Sequence, residues 1–183
     1  MSALIKVQTN ISRYWWLMGF ALFAATSAQA ATTESAVKAG FIYNFTKFIE
    51  WPASSNLYTT FNLCVVGDNR LEDSLQALEG KLVGSKSIKV RQNVSKEDMK
   101  SCQMLFIAED NDQATYALLH ELGSEPVVTV SDSPEFTLKG GMIGLIRDGS
   151  RVGFEINLTP ANTSSVRFSA QLLKLAKSVK GLK

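Results

Sequence analysis

"MLFIA", Met104–Ala108, is five apolar residues in a row, preceded by Cys102-Gln103 and followed by Glu109-Asp110. A strand with one wet face alternates polar and apolar residues. A strand covered on both faces has no need to, so this run reads as a buried parallel strand. Its surroundings agree. Downstream, Asp112–Leu122 is a helix candidate closed by Gly123, and Val127–Val130 is the next strand. Upstream, "FNLCVVG", Phe61–Gly67, is a strand. Asp68–Leu78 follows as a helix, with Leu71, Leu75 and Leu78 at helical spacing behind a capping-type Asp68. Ser87–Val94 alternates through Ile88 and Val90 like a strand with one wet face. Strand–helix–strand alternation implies a parallel sheet with right-handed crossovers. Gly140-Gly141 reads as a tight turn into "MIGLI", and "RVGFEINL" returns after Asp148-Gly149, which makes an antiparallel hairpin. Ser165–Lys180 reads as a C-terminal helix, with Phe168, Leu172, Leu175, Ala176 and Val179 on one stripe. The expected fold is therefore α/β: a single compact domain with a mixed, mostly parallel sheet flanked by helices, closed by a hairpin and a C-terminal helix.

"KAGFIYNFTKFIEWP", Lys38–Pro52, belongs to a first helix expected over Thr33–Glu50, with Thr32 or Thr33 as N-cap. Val37, Phe41, Phe45, Phe48 and Ile49 fall at helical spacing and form its core face, whereas Lys38, Asn44, Lys47 and Glu50 lie elsewhere. Tyr43 and Trp51 are left as candidate partner-binding residues. Pro52 biases Trp51 toward extended backbone at the helix end, where its indole either caps the core edge or presents a surface anchor.

The first thirty residues have another character. Lys6 and Arg13 precede an apolar stretch, Tyr14–Thr26, and Ala28-Gln29-Ala30 is a small-residue cleavage site. That order is a secretory signal peptide, and the apolar run is shorter than the roughly 20 residues of a spanning helix. The expected organisation is a signal peptide over 1–30 and one domain over 31–183. Export leaves 17 basic against 17 acidic residues, with no basic run, so nothing marks a nucleic-acid surface. Cys64 and Cys102 are an even pair in an exported chain, which favours a disulfide. Two separately buried thiols are the other reading.

Chemistry is sparse. His120 is the only histidine, and the two cysteines complete no zinc set. Ser150, in Gly149-Ser150-Arg151-Val152-Gly153, sits one place too early for a nucleophile elbow. Gly140–Gly144 leads into a strand rather than a helix, unlike a phosphate loop. Asp132, Glu135 and Asp148 read as solvated loop acids. The sequence assigns no catalytic residue, metal or cofactor, so the protein is expected to act by binding. One such reading is a periplasmic small-molecule binder acting on a membrane signalling protein. Its cleft would lie at the carboxyl ends of the parallel strands, after Gly67, Glu109 and Ser131, beside Asp68, Asp110 and Asp132.

Taken together and in this order, "KAGFIYNFTKFIEWP", "LCVVGDN", "CQMLFIAE", "VVTVSDSPEF", "GGMIGLI", "RVGFEINL" and "SAQLLKLAK" resemble the YfiR family of exported α/β proteins. The resemblance implies a periplasmic, non-catalytic inhibitor of a membrane-bound diguanylate cyclase, contacting that enzyme's periplasmic sensor domain. It also implies an OmpA-like outer-membrane lipoprotein as a sequestering partner, and a fold that can form a homodimer. Cys64 and Cys102 match the family's central cysteine positions, which supports the disulfide. A second cysteine pair carried by some members is absent, so redox sensing through that pair does not transfer.

Overall fold

The computed structural model describes residues 28–53, 55, 59–68, 70–149 and 151–181. The expected leader falls almost wholly on residues 1–27, outside the described residues. The chain divides after Thr33, and the unit from Glu34 onward carries the whole sheet. Among the described residues, no helix is long and apolar enough to cross a membrane.

Helix α1 (Ala28–Phe45) leads to a two-residue strand β1 (Ile49–Glu50). Then come β2 (Phe61–Gly67), α2 (Glu72–Gln76), β3 (Leu82–Val83), β4 (Lys86–Arg91), α3 (Lys96–Met99), β5 (Met104–Ala108), α4 (Asp112–Leu122) and β6 (Val128–Ser131). The remainder is β7 (Ile143–Asp148), β8 (Arg151–Asn157), α5 (Leu158–Thr163), β9 (Arg167–Phe168), α6 (Ala170–Leu175) and β10 (Ser178–Lys180). Eight strands form one sheet in the order β10-β8-β7-β6-β5-β2-β4-β3. The central five are mutually parallel, while β7 and β8 form the antiparallel hairpin. The fold class read from the sequence is the one observed.

Strand pleating sorts the apolar residues into two layers. Leu63, Val65, Met104, Phe106, Val128 and Val130 join Ala39, Ile42 and Phe45 of α1 on one face. Cys64, Leu105 and Ile107 join Met99, Leu118 and Leu122 of α3 and α4 on the other. Because β5 feeds both layers, its residues 104–107 are all buried, which is why it shows no alternation.

Several boundaries differ from expectation. Helix α1 stops at Phe45 because Ile49 and Glu50 pair with Phe168 and Arg167 of β9; Thr32 and Thr33 lie inside it rather than capping it. Its buried stripe is Ala39, Ile42 and Phe45, and Val37 is exposed. Helix α2 starts at Glu72, and Leu71 rather than Asp68 occupies its N-cap. The C-terminal helix shrinks to α6. Phe168 belongs to β9, and Val179 to β10, which adds to the sheet beside Ile156. Leu175 is left exposed. The Gly140-Gly141 turn is as expected at Gly140, whose φ is +101°. At Gly141 the reason is different: a Cβ there would lie 2.1 Å from the Phe136 ring.

Candidate functional site

After β2 the chain moves outward to β4, then steps back across β2 to continue as β5, β6 and β7. Connections therefore leave the neighbouring strands β2 and β5 in opposite directions. Such a switch point leaves a crevice outside the carboxyl ends of the strands, and one is present. A cavity of about 170 Å³ is lined by Asp68, Arg70, Leu71, Phe106, Ala108, Asp110, Asp132, Ser133 and Pro134. Asp68, Asp110 and Asp132, the acids expected around a cleft at this end, all line it.

Its walls are fixed by short polar contacts. The Ser131 hydroxyl donates to the Ile107 carbonyl at 2.6 Å, and the Ser133 hydroxyl donates to the Glu109 carbonyl at 2.9 Å. Together they tie the end of β6 to the end of β5. Lys38 reaches from α1 to donate to Asp132 at 2.7 Å and pairs with Glu34 at 3.1 Å; Glu34 also pairs with Arg147. Burial of Lys38 on its own would lower its pKa. The hydrogen bonds and charges of Asp132 and Glu34 outweigh that burial and hold the pKa above the ordinary lysine value. Arg70 and Asp110 pair at 3.4 Å with both side chains largely exposed, so their link contributes little to stability. Glu135 is exposed, Asp148 pairs with Lys177, and neither lines the cleft with Asp132. No group of three His, Cys, Asp or Glu side chains among the described residues could hold a metal ion. His120 is exposed on α4.

The opposite, amino end of the sheet holds the two aromatic candidates. The Trp51 indole N–H donates to the Gln103 carbonyl at 2.8 Å, and its ring meets Phe61 edge-on at 5.2 Å. Gln103 is itself buried, and its side-chain oxygen accepts from the Asn62 N–H at 2.7 Å. Tyr43 donates to the Leu82 carbonyl at 3.1 Å. The ammonium of Lys47 lies 4.4 Å from the centre of its ring, and that of Lys81 5.8 Å. A groove of about 320 Å³ runs past Trp51, Phe61, Val83, Lys86 and Gln103. Trp51 is half-buried and packs against the main core. Trp51→Ala is therefore expected to cost about 3 kcal/mol, the lower end for aromatic truncations. Trp51→Phe, which keeps a ring and loses the N–H, should cost about 1 kcal/mol. Urea denaturation of the two variants checks both values. A Trp51→Ala protein as stable as wild type would remove Trp51 from the core edge.

Cys64, in the middle of β2, and Cys102, just before β5, form a disulfide with a Cα–Cα distance of 6.0 Å. Both are buried in the layer beneath α3 and α4.

Among solved structures, one shares the general architecture. A conserved domain protein from Vibrio cholerae aligns with a TM-score of 0.54 at 12% identity, over 78% of this chain and 60% of its own. The ABC domain in complex with L-Trp from Streptococcus pneumonia gives a TM-score of 0.49 at 11% identity, over 80% and 60% of the two chains. The chain thus spans 60% of the length of either solved chain, and the first likeness is one of fold. At the level of sequence the match is of another order, because residues 35–177, which take in every strand of the sheet except β10, fit the YfiR/HmsC-like family. The chain belongs to that YfiR/HmsC-like family.

Proposed function

We propose that this protein is a non-enzymatic periplasmic regulator that inhibits a membrane-bound diguanylate cyclase by binding the enzyme's periplasmic sensor domain. Family membership over residues 35–177 carries this reading. The site chemistry is compatible with it: in the carboxyl-end cleft Asp132 is held by Lys38, Asp110 pairs with Arg70, and Ser133 is tied to the Glu109 carbonyl. Inhibition then requires tighter binding to the inactive than to the active conformation of the cyclase, since equal affinity would shift nothing. An OmpA-like lipoprotein that sequesters the regulator, and a homodimer, complete the proposed cycle.

Deleting the gene is expected to raise intracellular cyclic di-GMP and to promote biofilm. A second deletion, of the cyclase, should return the level to baseline. A version lacking residues 1–30 should fail to complement, because the sensor domain lies across the membrane from the cytoplasm. The readout is cyclic di-GMP in cell extracts under conditions where the cyclase is expressed. An unchanged level in the single deletion defeats the inhibitor reading.

That result would bring forward a second one: a small-molecule sensor domain acting on another membrane signalling protein. The observation favouring it is the crevice at the β2/β5 switch point, where Asp68, Asp110 and Asp132 surround one cavity.

A further inference from the structure

The groove at the amino end of the sheet combines an apolar floor with unneutralised positive charge. Trp51, Phe61 and Val83 supply aromatic and aliphatic walls, and Leu82 beside them is 62% exposed although it lies in the sheet's edge strand. Lys86 lines the groove, and Lys47 and Lys81 flank Tyr43, whose hydroxyl donates to the carbonyl of Leu82, next to Val83 of the groove wall. None of these three lysines is ion-paired with a carboxylate among the described residues. The acids closest in sequence are committed elsewhere: Glu50 holds Arg167 at 2.9 Å, and Glu79 accepts the Val90 N–H at 2.6 Å. The residues beyond the expected leader balance at 17 basic and 17 acidic. The positive face is thus a local feature, not an overflow of net charge.

We propose that this groove docks a partner segment presenting an apolar side chain flanked by carboxylates. The proposal rests on the regulator reading for the existence of a protein partner; it adds the docking face and the chemistry of recognition. An apolar anchor in the groove would supply affinity, while the lysines would set orientation and association rate. A second copy of this chain is a poor occupant. A two-fold interface through this patch would bring the same lysines face to face.

If the leader is cleaved near residue 30, Trp51 is the only tryptophan of the exported protein, so its fluorescence reports the groove directly. Protein purified from the periplasm is titrated with the peptide acetyl-Glu-Asp-Leu-Phe-Glu-Asp-amide, and with a counterpart carrying Lys at its four acidic positions. The acidic peptide should shift Trp51 emission saturably, and the basic one should bind about tenfold more weakly. Raising salt from about 50 to about 300 mM should weaken the acidic peptide's response. The triple variant Lys47→Glu/Lys81→Glu/Lys86→Glu should lose about tenfold in affinity for it, with Leu82→Asp as a second, independent surface variant. No saturable shift, or equal responses to both peptides, overturns the proposal. So does a shift given only by phosphatidylglycerol vesicles, which would assign the face to a lipid surface.

A parallel binding measurement uses the periplasmic domain of the cyclase from the same organism. If that domain binds wild type and the folded triple variant equally, the groove is not the docking face and the regulator reading stands. If it binds neither while the acidic peptide still shifts Trp51, the groove stands and the cyclase is the wrong partner.

Discussion

Reducing the Cys64–Cys102 disulfide is expected to lower the unfolding free energy by roughly 4 kcal/mol, on the chain-entropy model for a loop of this length. The melting temperature should then fall by about 8–16 °C for a domain of this size. The bond closes a separation of 38 residues, and the enclosed segment contains α2, β3, β4 and α3. It therefore restrains the part of the chain that must leave β2 on one side and return as β5 on the other. Both cysteines are almost wholly buried, at 0% and 3% exposure. Reductant should consequently act slowly on the native protein and quickly once it unfolds. Reduction is a better comparison than Cys→Ala, because it keeps the sulfur atoms and leaves no cavity beside Met99 and Leu105. The measurement is a pair of thermal melts, with and without reductant, together with thiol titration of denatured, unreduced protein. Two reactive thiols, or coincident melts, would restore the reading of two separately buried cysteines.

Legibility in the chain follows the strength of each local pattern. Helix α4 matches its expected span because Asn111 caps its start, accepting from Ala114 N–H at 3.0 Å, and Gly123 ends it. Strand β5 is legible because burial on both faces forces an unbroken apolar run. The short strands β9 and β10 carry no period in two or three residues. Their pairing with β1 and β8 is a tertiary event that breaks what resembles one long helical stripe. The β3–β4 hairpin escapes a reading by periodicity, although Gly84-Ser85 between Val83 and Lys86 is the kind of two-residue turn that marks one. With it goes the far wall of the amino-end groove. Lys38 reads only as a residue off the core face of the first helix; its partner Asp132 is 94 residues away, a separation that no local pattern encodes. The three acids of the carboxyl-end cleft are legible for the opposite reason. In a parallel sheet, residues just past each strand end gather at one edge, so strand boundaries alone place them together.

Gly67→Ala is expected to be among the most damaging small substitutions in the protein. Gly67 pairs with Ala108 at the last rung between β2 and β5, directly beneath the cleft. Its φ of +93° is a conformation that costs an L-residue about 1–2 kcal/mol. A Cβ at that position would lie 2.4 Å from the Ala108 carbonyl oxygen and 2.7 Å from its carbon. Those atoms belong to backbone in the centre of the sheet and cannot rotate aside, so overpacking adds about 1–3 kcal/mol. Gly80 provides the control. Its φ is +76°, and a Cβ added there would meet nothing within 4 Å, so Gly80→Ala should show the backbone cost alone. The difference between the two variants in urea denaturation isolates the β2–β5 contact, and equal stabilities would mean that the rung yields freely. The same variant separates the two ends of the molecule. A Gly67→Ala protein kept folded at low temperature is expected to be perturbed at the crevice that Ala108 lines and to keep the groove around Trp51, which Gly67 does not line. Partner binding that survives this change is expected not to depend on the crevice, as docking at the amino-end groove predicts, whereas binding that is lost while Trp51 emission stays constant points to the crevice.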